Sequence, residues 1–475
     1  MKPSSRALVT LAAAALLSAC ATAPDPSPPP AGPALPTRWQ APLPHDGAAA
    51  DLAQWWARFN DPVLLPLQEA AQQASPTLAS ALARVERARA SRAAAGAAGA
   101  PRLDAVASAS SARQLPGQRT AHLASAGLQA AWELDLFGAV AAGRQAAQAR
   151  LEGAQAGWHD ARVSVAAEVA SSYTALRACE AQLAQTRLDT ASRAETARLT
   201  DLSARSGFTA PADAALARAG AAQARGQWLS QQAQCDTLLK GLVEITDLPE
   251  PDLRQRLAAG SARLPQPAPL SLTALPAALL SQRPDLAAAA REVVAAAADR
   301  SQSQARELPQ ISLSGSLAGA SLRSGGVTNN GATWSIGPVV VSLPLFDGGA
   351  RTASTAAARA SYDEAVALYA AQLRRAVREV ETALVALDST AQREVDALSA
   401  ARDFEASLVA TQARQQGGLA SLFDLEAARR NAVLAQSTLI ELQRERVTAW
   451  ISLYRALGGG WTATDDLART AAVQP

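Results

Sequence analysis

The sequence predicts a mainly α-helical protein that contains two copies of one structural unit, each with a pair of β-strands. Three observations lead to this prediction: an internal repeat, two very long segments without a proline, and short segments in which polar and apolar residues alternate. Hydrophobic residues make up 49% of the 475 residues, yet aromatic residues make up only 4%. Because the apolar residues are largely alanine, helices that pack closely together are favoured.

The repeat relates the two halves of the chain at a nearly constant offset. Gly207 and Asp213 match Gly418 and Asp424 at an offset of 211, which is three more than the offset of 208 between matching residues earlier in the two halves. The small drift reflects a difference in loop length, so the chain is a duplication. Five pairs of identical residues are 208 positions apart: Pro76 and Pro284, Leu78 and Leu286, Val85 and Val293, Arg92 and Arg300, and Pro101 and Pro309.

Each half is predicted to contain a helix, two strands, a very long helix and a shorter antiparallel helix, in that order. Residues 51–250 and 284–460 form the two repeats, with a connection at 251–283 and a tail at 461–475. The predicted helices are 76–99, 138–206 and 211–244, then 284–307, 349–416 and 422–457; the predicted strands are about 102–111 and 121–137, then about 309–322 and 333–346, with a Gly/Asn-rich turn at 324–331.

The two long helices have the sequence pattern of a coiled coil. At about 1.5 Å per residue each would reach roughly 100 Å. Apolar residues recur at steps of four and three, as in the seam between two paired helices. The seam residues are Val165, Val169, Ser172, Leu176, Cys179 and Leu183 in the first half, and Val366, Tyr369, Leu373, Val380, Leu384 and Leu387 in the second.

The predicted strands have one polar and one apolar face. In the segment 122–136 the even positions are mostly alanine, leucine and Trp132, whereas the odd positions include Ser125, Gln129 and Glu133. Runs of this length and pattern are typical of transmembrane barrel strands. Each run alone fits equally well a half-buried strand of a soluble sheet.

The N-terminus has the pattern of an export signal, predicted at residues 1–19. Lys2 and Arg6 precede a short apolar stretch that ends in Leu17-Ser18-Ala19-Cys20. This ending resembles the lipobox of bacterial lipoproteins, in which the cysteine is acylated after cleavage. The resemblance implies that Cys20 is lipidated and that residues 20–50 form an anchor and a Pro-rich tether. The alternative is an ordinary signal peptide with an unrelated cysteine.

Cys179 and Cys235 are predicted to form a disulfide. Each lies 28 positions from Gly207, so a chain that turns at Gly207 would place them at the same height on two antiparallel helices. Disulfides persist in the oxidising compartments that exported proteins reach. The alternative is a pair of buried free thiols. With only three histidines elsewhere, these cysteines make no metal-ligand set, and no metal or other cofactor is expected.

Charge and motifs argue against two other functional classes. The 44 basic and 42 acidic residues are well mixed and give a net charge near +2, so nucleic acid is not an expected partner. The chain has no GxSxG, HExxH, phosphate-loop or dinucleotide-binding motif. An enzyme is therefore not expected.

Four strands cannot close a barrel, and an open sheet edge is not tolerated in hydrocarbon. If these strands enter a membrane, other copies of the chain must supply the rest. Two copies would give eight strands, a barrel usually filled by side chains, whereas three copies would give twelve and leave room for a pore. Closure therefore favours a homotrimer.

Three motifs resemble the TolC/OprM/NodT family of outer-membrane channels: WWARFNDPVLLPL at 55–67, RPDL at 283–286 and VSLPLFDGG at 341–349. The resemblance implies a trimer with a 12-stranded β-barrel in the outer membrane, continued by an α-barrel of coiled-coil helices in the periplasm. It also implies a periplasmic adaptor, an inner-membrane pump of the RND type, and export of drugs or other toxic small molecules. The connection at 251–283 becomes part of an equatorial region.

In this family a Gly, Ser and Asp at three-residue steps form the closed periplasmic entrance, and the matching residues are Gly418, Ser421 and Asp424. The resemblance implies that Asp424 rings the pore, where three carboxylates would raise one another's pKa. The first half has Gly207, Ala210 and Asp213, so the Ser is replaced. For both aspartates the alternative is a helix N-terminal residue favoured by the dipole. Some relatives have a second acidic residue where this chain has Ala427, and Glu426 is a possible substitute.

Four tryptophans have an expected position in this fold, and other functions compete with that of an efflux channel. Trp55 and Trp56 are expected to pack within the equatorial region, whereas Trp132 and Trp334, on predicted strands, favour a membrane-interface role. Competing functions are a type I secretion or metal-efflux channel within the family and, outside it, a periplasmic coiled-coil adaptor or structural lipoprotein. Adaptors lack a duplicated pair of amphipathic β-hairpins.

Overall fold

The computed structural model of the chain describes residues 40–41, 52–113, 120–267, 280 and 282–461. The predicted signal peptide, Cys20 and most of the predicted tether and tail lie outside these residues. Within them no helix is both long and apolar enough to cross a membrane.

The five elements predicted for each half occur in the same order in the described part of both halves. After a 3₁₀ helix at Leu52–Phe59, the elements are α1 (Leu64–Ala74), α2 (Pro76–Ala97), β1 (Arg102–Ala112), β2 (Ala121–Leu134), α3 (Ala139–Arg205), α4 (Pro211–Thr246), α5 (Glu250–Ala258), α6 (Pro284–Ala305), β3 (Gln310–Ser324), β4 (Val327–Ser342), α7 (Ala350–Gln416) and α8 (Leu422–Ala456).

Helix starts follow from local chemistry. Pro211 occupies the first turn of α4, where its missing N–H is not needed. Before α3, the carboxylate of Asp135 accepts hydrogen bonds from the N–H groups of Val140 and Ala141 at 3.0 and 2.7 Å. Before α7, Asp347 accepts from the N–H groups of Gly349 and Arg351 in the same way. The duplicated aspartates thus satisfy the free donors of both long helices.

The chain divides into two compact units. The first contains Ala83–Gln155 and Ala288–Ala371, and the sheet belongs to it. The sheet is antiparallel, with the strand order β1-β2-β3-β4. The central pairing joins the two halves of the chain, because β2 of the first half pairs with β3 of the second.

The fourth strand differs from its sequence-based bounds. It begins at Val327 and ends at Ser342, whereas 333–346 was expected. Only Gly325 and Gly326 form the turn, both with positive φ, which is the backbone of a two-residue hairpin. Asn329 and Asn330 pair with β3 rather than lying in a turn. Leu343–Phe346 follow the strand, and β2 likewise ends at Leu134 rather than at 137.

The second unit includes the described residues of 33–82, 156–287 and 372–475, and most of its large buried side chains form one hydrophobic core. Trp55 is only 2% exposed, and its ring lies 5.8 Å from that of Trp450. Trp56 lies 4.5 Å from Tyr454. Trp55 and Trp56 therefore pack in a core, which agrees with the structural role expected for them. The seam residues Val169, Val380 and Leu384 are fully buried.

Two short helices were not predicted. In α1 the buried residues Leu64, Leu67 and Ala71 form one stripe, and α5 buries Leu253 and Leu257. Both helices are too short to have a distinct helical period in the sequence, and they gain their stability from packing rather than from intrinsic propensity.

Candidate functional site

One face of the sheet is apolar from Ile311 to Leu317 of β3, whereas nearer the β3–β4 turn the same face carries Ser321, Arg323 and Asn330. Residues directly opposite one another in an antiparallel sheet point to the same side, and the register places Leu128, Leu317 and Trp334 in one row. These side chains are exposed, by 56% for Leu317 and 74% for Trp334. The same face includes Leu103, Ala105, Ala130, Trp132, Ile311, Leu313, Ile336, Val339 and Val341.

The opposite face of the sheet is mixed, with polar rows alongside apolar side chains such as Val106, Leu123, Leu322 and Val340. One row across all four strands consists of Asp104, Gln129, Ser316 and Ser335. Hydroxyl groups bridge neighbouring strands, with 2.8 Å between the Oγ atoms of Ser316 and Ser335. Along these rows the sheet is therefore amphipathic, with hydroxyl, amide and carboxylate groups on one face and leucine and tryptophan on the other.

The two outer strands, β1 and β4, each pair with only one neighbour among the described residues. Their outer backbone N–H and C=O groups are available to another strand. Long strands with an apolar face and a free edge pair readily with a further chain. The geometry of the sheet thus favours association edge to edge.

Trp132 and Trp334 lie on β2 and β4 and project from the apolar face. The Nε1 of Trp132 donates a hydrogen bond to the carbonyl oxygen of Gly99 at 3.1 Å. Trp334 is the more exposed of the two. A ring with an apolar body and a polar edge suits the boundary between hydrocarbon and water. A role for these tryptophans at the membrane interface stays a prediction.

The second helical hairpin, formed by α7 and α8, turns at Gly418, which has a φ of +73°. The N–H of Leu419 donates to the carbonyl of Arg414 at 2.8 Å and closes the end of α7. Ser421 then caps α8: its Oγ accepts from the N–H of Asp424 at 3.1 Å, and its own N–H donates to Asp424 Oδ2 at 2.9 Å. This is a complete capping box.

The first helical hairpin, formed by α3 and α4, has the same turn but no capping box. Gly207 has a φ of +77°, and the N–H of Phe208 donates to the carbonyl of Ser203 at 2.9 Å. Ala210 occupies the capping position and has no side-chain oxygen, so Asp213 lacks the partner that Asp424 has. The Ser-to-Ala difference between the halves therefore has a direct structural consequence.

Asp424 is exposed, and its pKa is lowered by hydrogen bonds from the backbone and hydroxyl groups of Ser421. A carboxylate in this state accounts for the cap and also stays charged at neutral pH. Glu426 is placed differently from the expectation that it assists Asp424. It is 8% exposed and accepts hydrogen bonds from Thr196 and Arg429 at 2.7 and 2.9 Å. Its charge is used inside the helix packing.

Cys179 on α3 and Cys235 on α4 lie opposite each other, with 5.6 Å between their Cα atoms and a bond between their sulfurs. Both residues are buried. At the matching level of the second helical hairpin, ion pairs join Arg446 to Glu394 and Arg393 to Glu445. The two helices of each hairpin are therefore joined at a similar distance from the turn, by a disulfide in the first hairpin and by ion pairs in the second.

The RPDL motif places a buried arginine where three chain segments meet. Arg283 is 5% exposed and binds Asp285, the carboxylate of Glu379 on α7 and the carbonyl oxygen of Ala456 on α8, all within 2.9 Å. Gly458 makes this approach possible, because a Cβ at that position would lie 2.9 Å from the Cα of Arg283. The motif is a structural clamp.

A second buried arginine was missed by sequence reasoning. Arg177 on α3 donates to the carbonyl oxygens of Leu257 and Ala259 at 2.8 and 2.9 Å, and to the hydroxyl of Tyr173. Tyr173 in turn donates to Asp61 at 2.6 Å. An isolated arginine beside a coiled-coil seam gives no sequence signal for these backbone acceptors, which lie about 80 positions away.

The repeat, the amphipathic sheet and the two helical hairpins agree with comparisons to known proteins. The sequence profile described as "Outer membrane efflux protein" matches residues 67–246 and 275–459. The chain belongs to this family. It is an outer membrane factor, the outer-membrane channel of a tripartite efflux system.

Individual relatives match over nearly the whole length. The chain is 31% identical to the outer membrane protein OprJ of Pseudomonas aeruginosa, covering 94% of both chains. It is 30% identical to SrpC of Pseudomonas putida, named a solvent efflux pump outer membrane protein, over 86% of this chain and 87% of SrpC. The solved structure of the outer-membrane channel OprN has a TM-score of 0.80 and 27% identity, covering 90% of this chain and 99% of OprN. The predicted fold class is confirmed.

Proposed function

We propose that three copies of this chain assemble into one conduit that passes small toxic molecules through the outer membrane. The amphipathic four-stranded sheet with two free edges is the observation that supports the trimer. Three such sheets supply twelve strands, enough for a closed barrel with an open interior. The apolar faces would contact lipid and the polar faces, with Ser316 and Ser335, would line the pore.

The helical hairpin ends are proposed to form the periplasmic entrance. Asp424 is exposed and keeps its charge, so three copies in a narrow ring would repel anions and attract cations. Asp213, without a capping partner, contributes less. Gly207, Gly418 and Ser421 act by shaping the turns.

The N-terminal segment is proposed to anchor the protein to outer-membrane lipid through acylated Cys20, with residues 20–50 as a tether. The two residues of this segment that the structure describes are held in place: the carboxylate of Glu381 accepts hydrogen bonds from the N–H groups of Gln40 and Ala41 at 2.7 and 2.8 Å. Cys179 and Cys235 are proposed to be joined by a disulfide in the exported protein.

A periplasmic adaptor and an inner-membrane pump, of the RND type, are the proposed partners. The naming of SrpC for a solvent efflux pump supports drugs or other toxic small molecules as the exported compounds. The conduit needs no catalysis and no bound cofactor. The free-edged amphipathic sheet argues against an adaptor or structural lipoprotein.

Two adjacent residues of β3 provide the test. Leu317→Arg places a charge on the apolar face, and Ser316→Arg places the same charge on the polar face. An arginine facing the centre of the bilayer destabilises a barrel by about 2–4 kcal/mol. We therefore expect Leu317→Arg to reduce the amount of heat-resistant oligomer and the conductance in planar bilayers.

Ser316→Arg is the matched control and is expected to assemble normally, with altered ion selectivity only. Equal tolerance of both substitutions, or greater damage from Ser316→Arg, would contradict the proposed orientation of the sheet.

A further inference from the structure

A groove runs between α7 and α8 in the second compact unit. Its volume is about 640 Å³, which lies within the range of pockets that bind small molecules. From Arg378 to Arg393 along α7 it extends about 22 Å at the helical rise per residue. It is therefore elongated.

The positive charge of the groove that is not part of an ion pair lies at one end. Arg393 and Arg444, at the far end, are paired with Glu445 and Glu441. Arg378 and Arg455, at the near end, are exposed and lie within salt-bridge distance of no carboxylate among the described residues. Arg455 is close enough to Asp160 to lower that group's pKa, although burial and the other carboxylates around Asp160 outweigh this effect.

The carboxylate nearest in sequence to this end is already in use. Glu379 lines the groove, but it binds the buried guanidinium of Arg283 at 2.9 Å. It is therefore not free to neutralise Arg378. Two guanidinium groups that line the same open space, with no carboxylate within salt-bridge distance in the described part of the chain, favour an anion between them.

The rest of the groove is apolar at its base and hydroxylated at its rim. Ala383, Ala449 and Ala456 are buried and form the floor. Thr382 and Ser452 also line it and offer hydroxyl groups. An elongated apolar body fits along the alanine floor once a negatively charged head group reaches the two arginines.

We propose that the α7–α8 groove binds an amphiphilic organic anion, with its carboxylate, sulfate or sulfonate held by Arg378 and Arg455 and its apolar body along the alanine floor. The site is a property of the helical hairpin and does not depend on the proposed channel function. It also differs from the proposed entrance at Asp424, which repels anions.

Calorimetric titration of the full chain in nanodiscs of uncharged lipid tests this proposal. The probes are naphthalene-2-sulfonate and its uncharged counterpart naphthalene-2-sulfonamide. We expect the sulfonate to bind at least about tenfold more tightly, since hydrogen bonds to charged groups are worth this much or more. The preference should weaken as salt is added.

Three variants locate the site. Arg378→Ala with Arg455→Ala should abolish the preference for the sulfonate, whereas Arg402→Ala, an exposed arginine of α7 outside the groove, should leave it unchanged. Arg378→Lys with Arg455→Lys keeps the charge and should retain part of the preference, which decides the matter if the alanine variant fails to assemble.

The proposal is overturned if the unaltered chain shows no preference for the sulfonate, as it would if another copy or an acidic protein segment covered the groove. It is equally overturned if the preference survives the double alanine substitution or disappears with Arg402→Ala.

Discussion

At the scale of single residues, buried arginines determine how segments distant in sequence meet. Arg283 joins its own segment to α7 and α8 through Asp285, Glu379 and the carbonyl oxygen of Ala456. Removing one partner of a buried ion pair leaves the others uncompensated, which costs more than losing an exposed pair. The clamp at Arg283 should therefore matter far more than the surface ion pairs of the same helices.

Arg283→Ala is expected to lower the free energy of unfolding by about 3–5 kcal/mol. Arg291→Ala is the matched control, because Arg291 also pairs with a carboxylate, Glu152, but is about half exposed. That change should cost about 0–1 kcal/mol. Denaturant unfolding followed by circular dichroism measures both, and equal losses would contradict the clamp.

The same clamp predicts a dependence on pH. Burial acts to raise the pKa of Asp285, but hydrogen bonds and charge from Arg283 outweigh it and leave the pKa lowered. A lowered folded-state pKa means that the stabilisation is present above the unfolded value, near 3.9, and is lost as the pH falls through the folded value. The difference in stability between the native chain and Arg283→Ala should therefore shrink below about pH 4.

Asp424→Asn tests the proposed entrance. Neutralising this residue removes three charges from the proposed ring, so the cation selectivity of single channels should fall and the reversal potential in a salt gradient should move towards zero. Asp213→Asn is the control at the other hairpin end and should have a smaller effect. Unchanged selectivity in Asp424→Asn would leave Asp424 as a helix cap only.

The sequence was informative at this scale only where a residue type has one obvious use. It placed Ser421 and Asp424 at a turn, but the capping box that joins them was not predicted. It did not reveal that Glu426 is buried, because a helical glutamate at the surface and one bonded to Thr196 have the same local sequence. Partners distant in sequence, such as those of Arg177, depend on the tertiary fold.

At the scale of elements, the two helical hairpins are copies that differ in their clasp. A covalent bond joins α3 to α4 through Cys179 and Cys235, whereas ion pairs join α7 to α8. A crosslink that closes a long loop limits the unfolded chain, although how far the effect is entropic depends on the model. The first helical hairpin should therefore resist separation more strongly than the second.

Cys179→Ser with Cys235→Ser is expected to lower stability by about 2–4 kcal/mol, since the loop between the cysteines spans 56 positions. Reduction with a thiol should lower the stability of the native chain to a similar extent and leave the serine variant unchanged. Thermal unfolding with and without reductant measures this. Identical melting of the native chain in both conditions would show that the disulfide does not form.

Helices were more predictable from sequence than strand ends. Long helices have many periods and clear stops at Gly207 and Gly418, so their bounds differ from expectation by at most two residues. The fourth strand was misplaced because Asn329 and Asn330, which usually favour turns, pair in the ladder with β3. Cross-strand pairing there outweighs local preference.

At the scale of the whole molecule, the duplication explains why one chain has too few strands to close a β-barrel. Each half contributes two strands, and the two pairs join through β2 and β3 into one sheet. Among the described residues the sheet still has two edges without a neighbouring strand, and apolar side chains such as Leu317 and Trp334 are exposed. The sequence predicted this need for partners from the strand count alone, whereas the register that aligns Leu128, Leu317 and Trp334 is visible only in the fold.

Native mass spectrometry of the full-length protein released from detergent tests assembly most directly. We predict a single dominant species with three times the mass of the mature chain. A monomeric species that persists at all protein concentrations, with the sheet still present by circular dichroism, would contradict closure by sister copies.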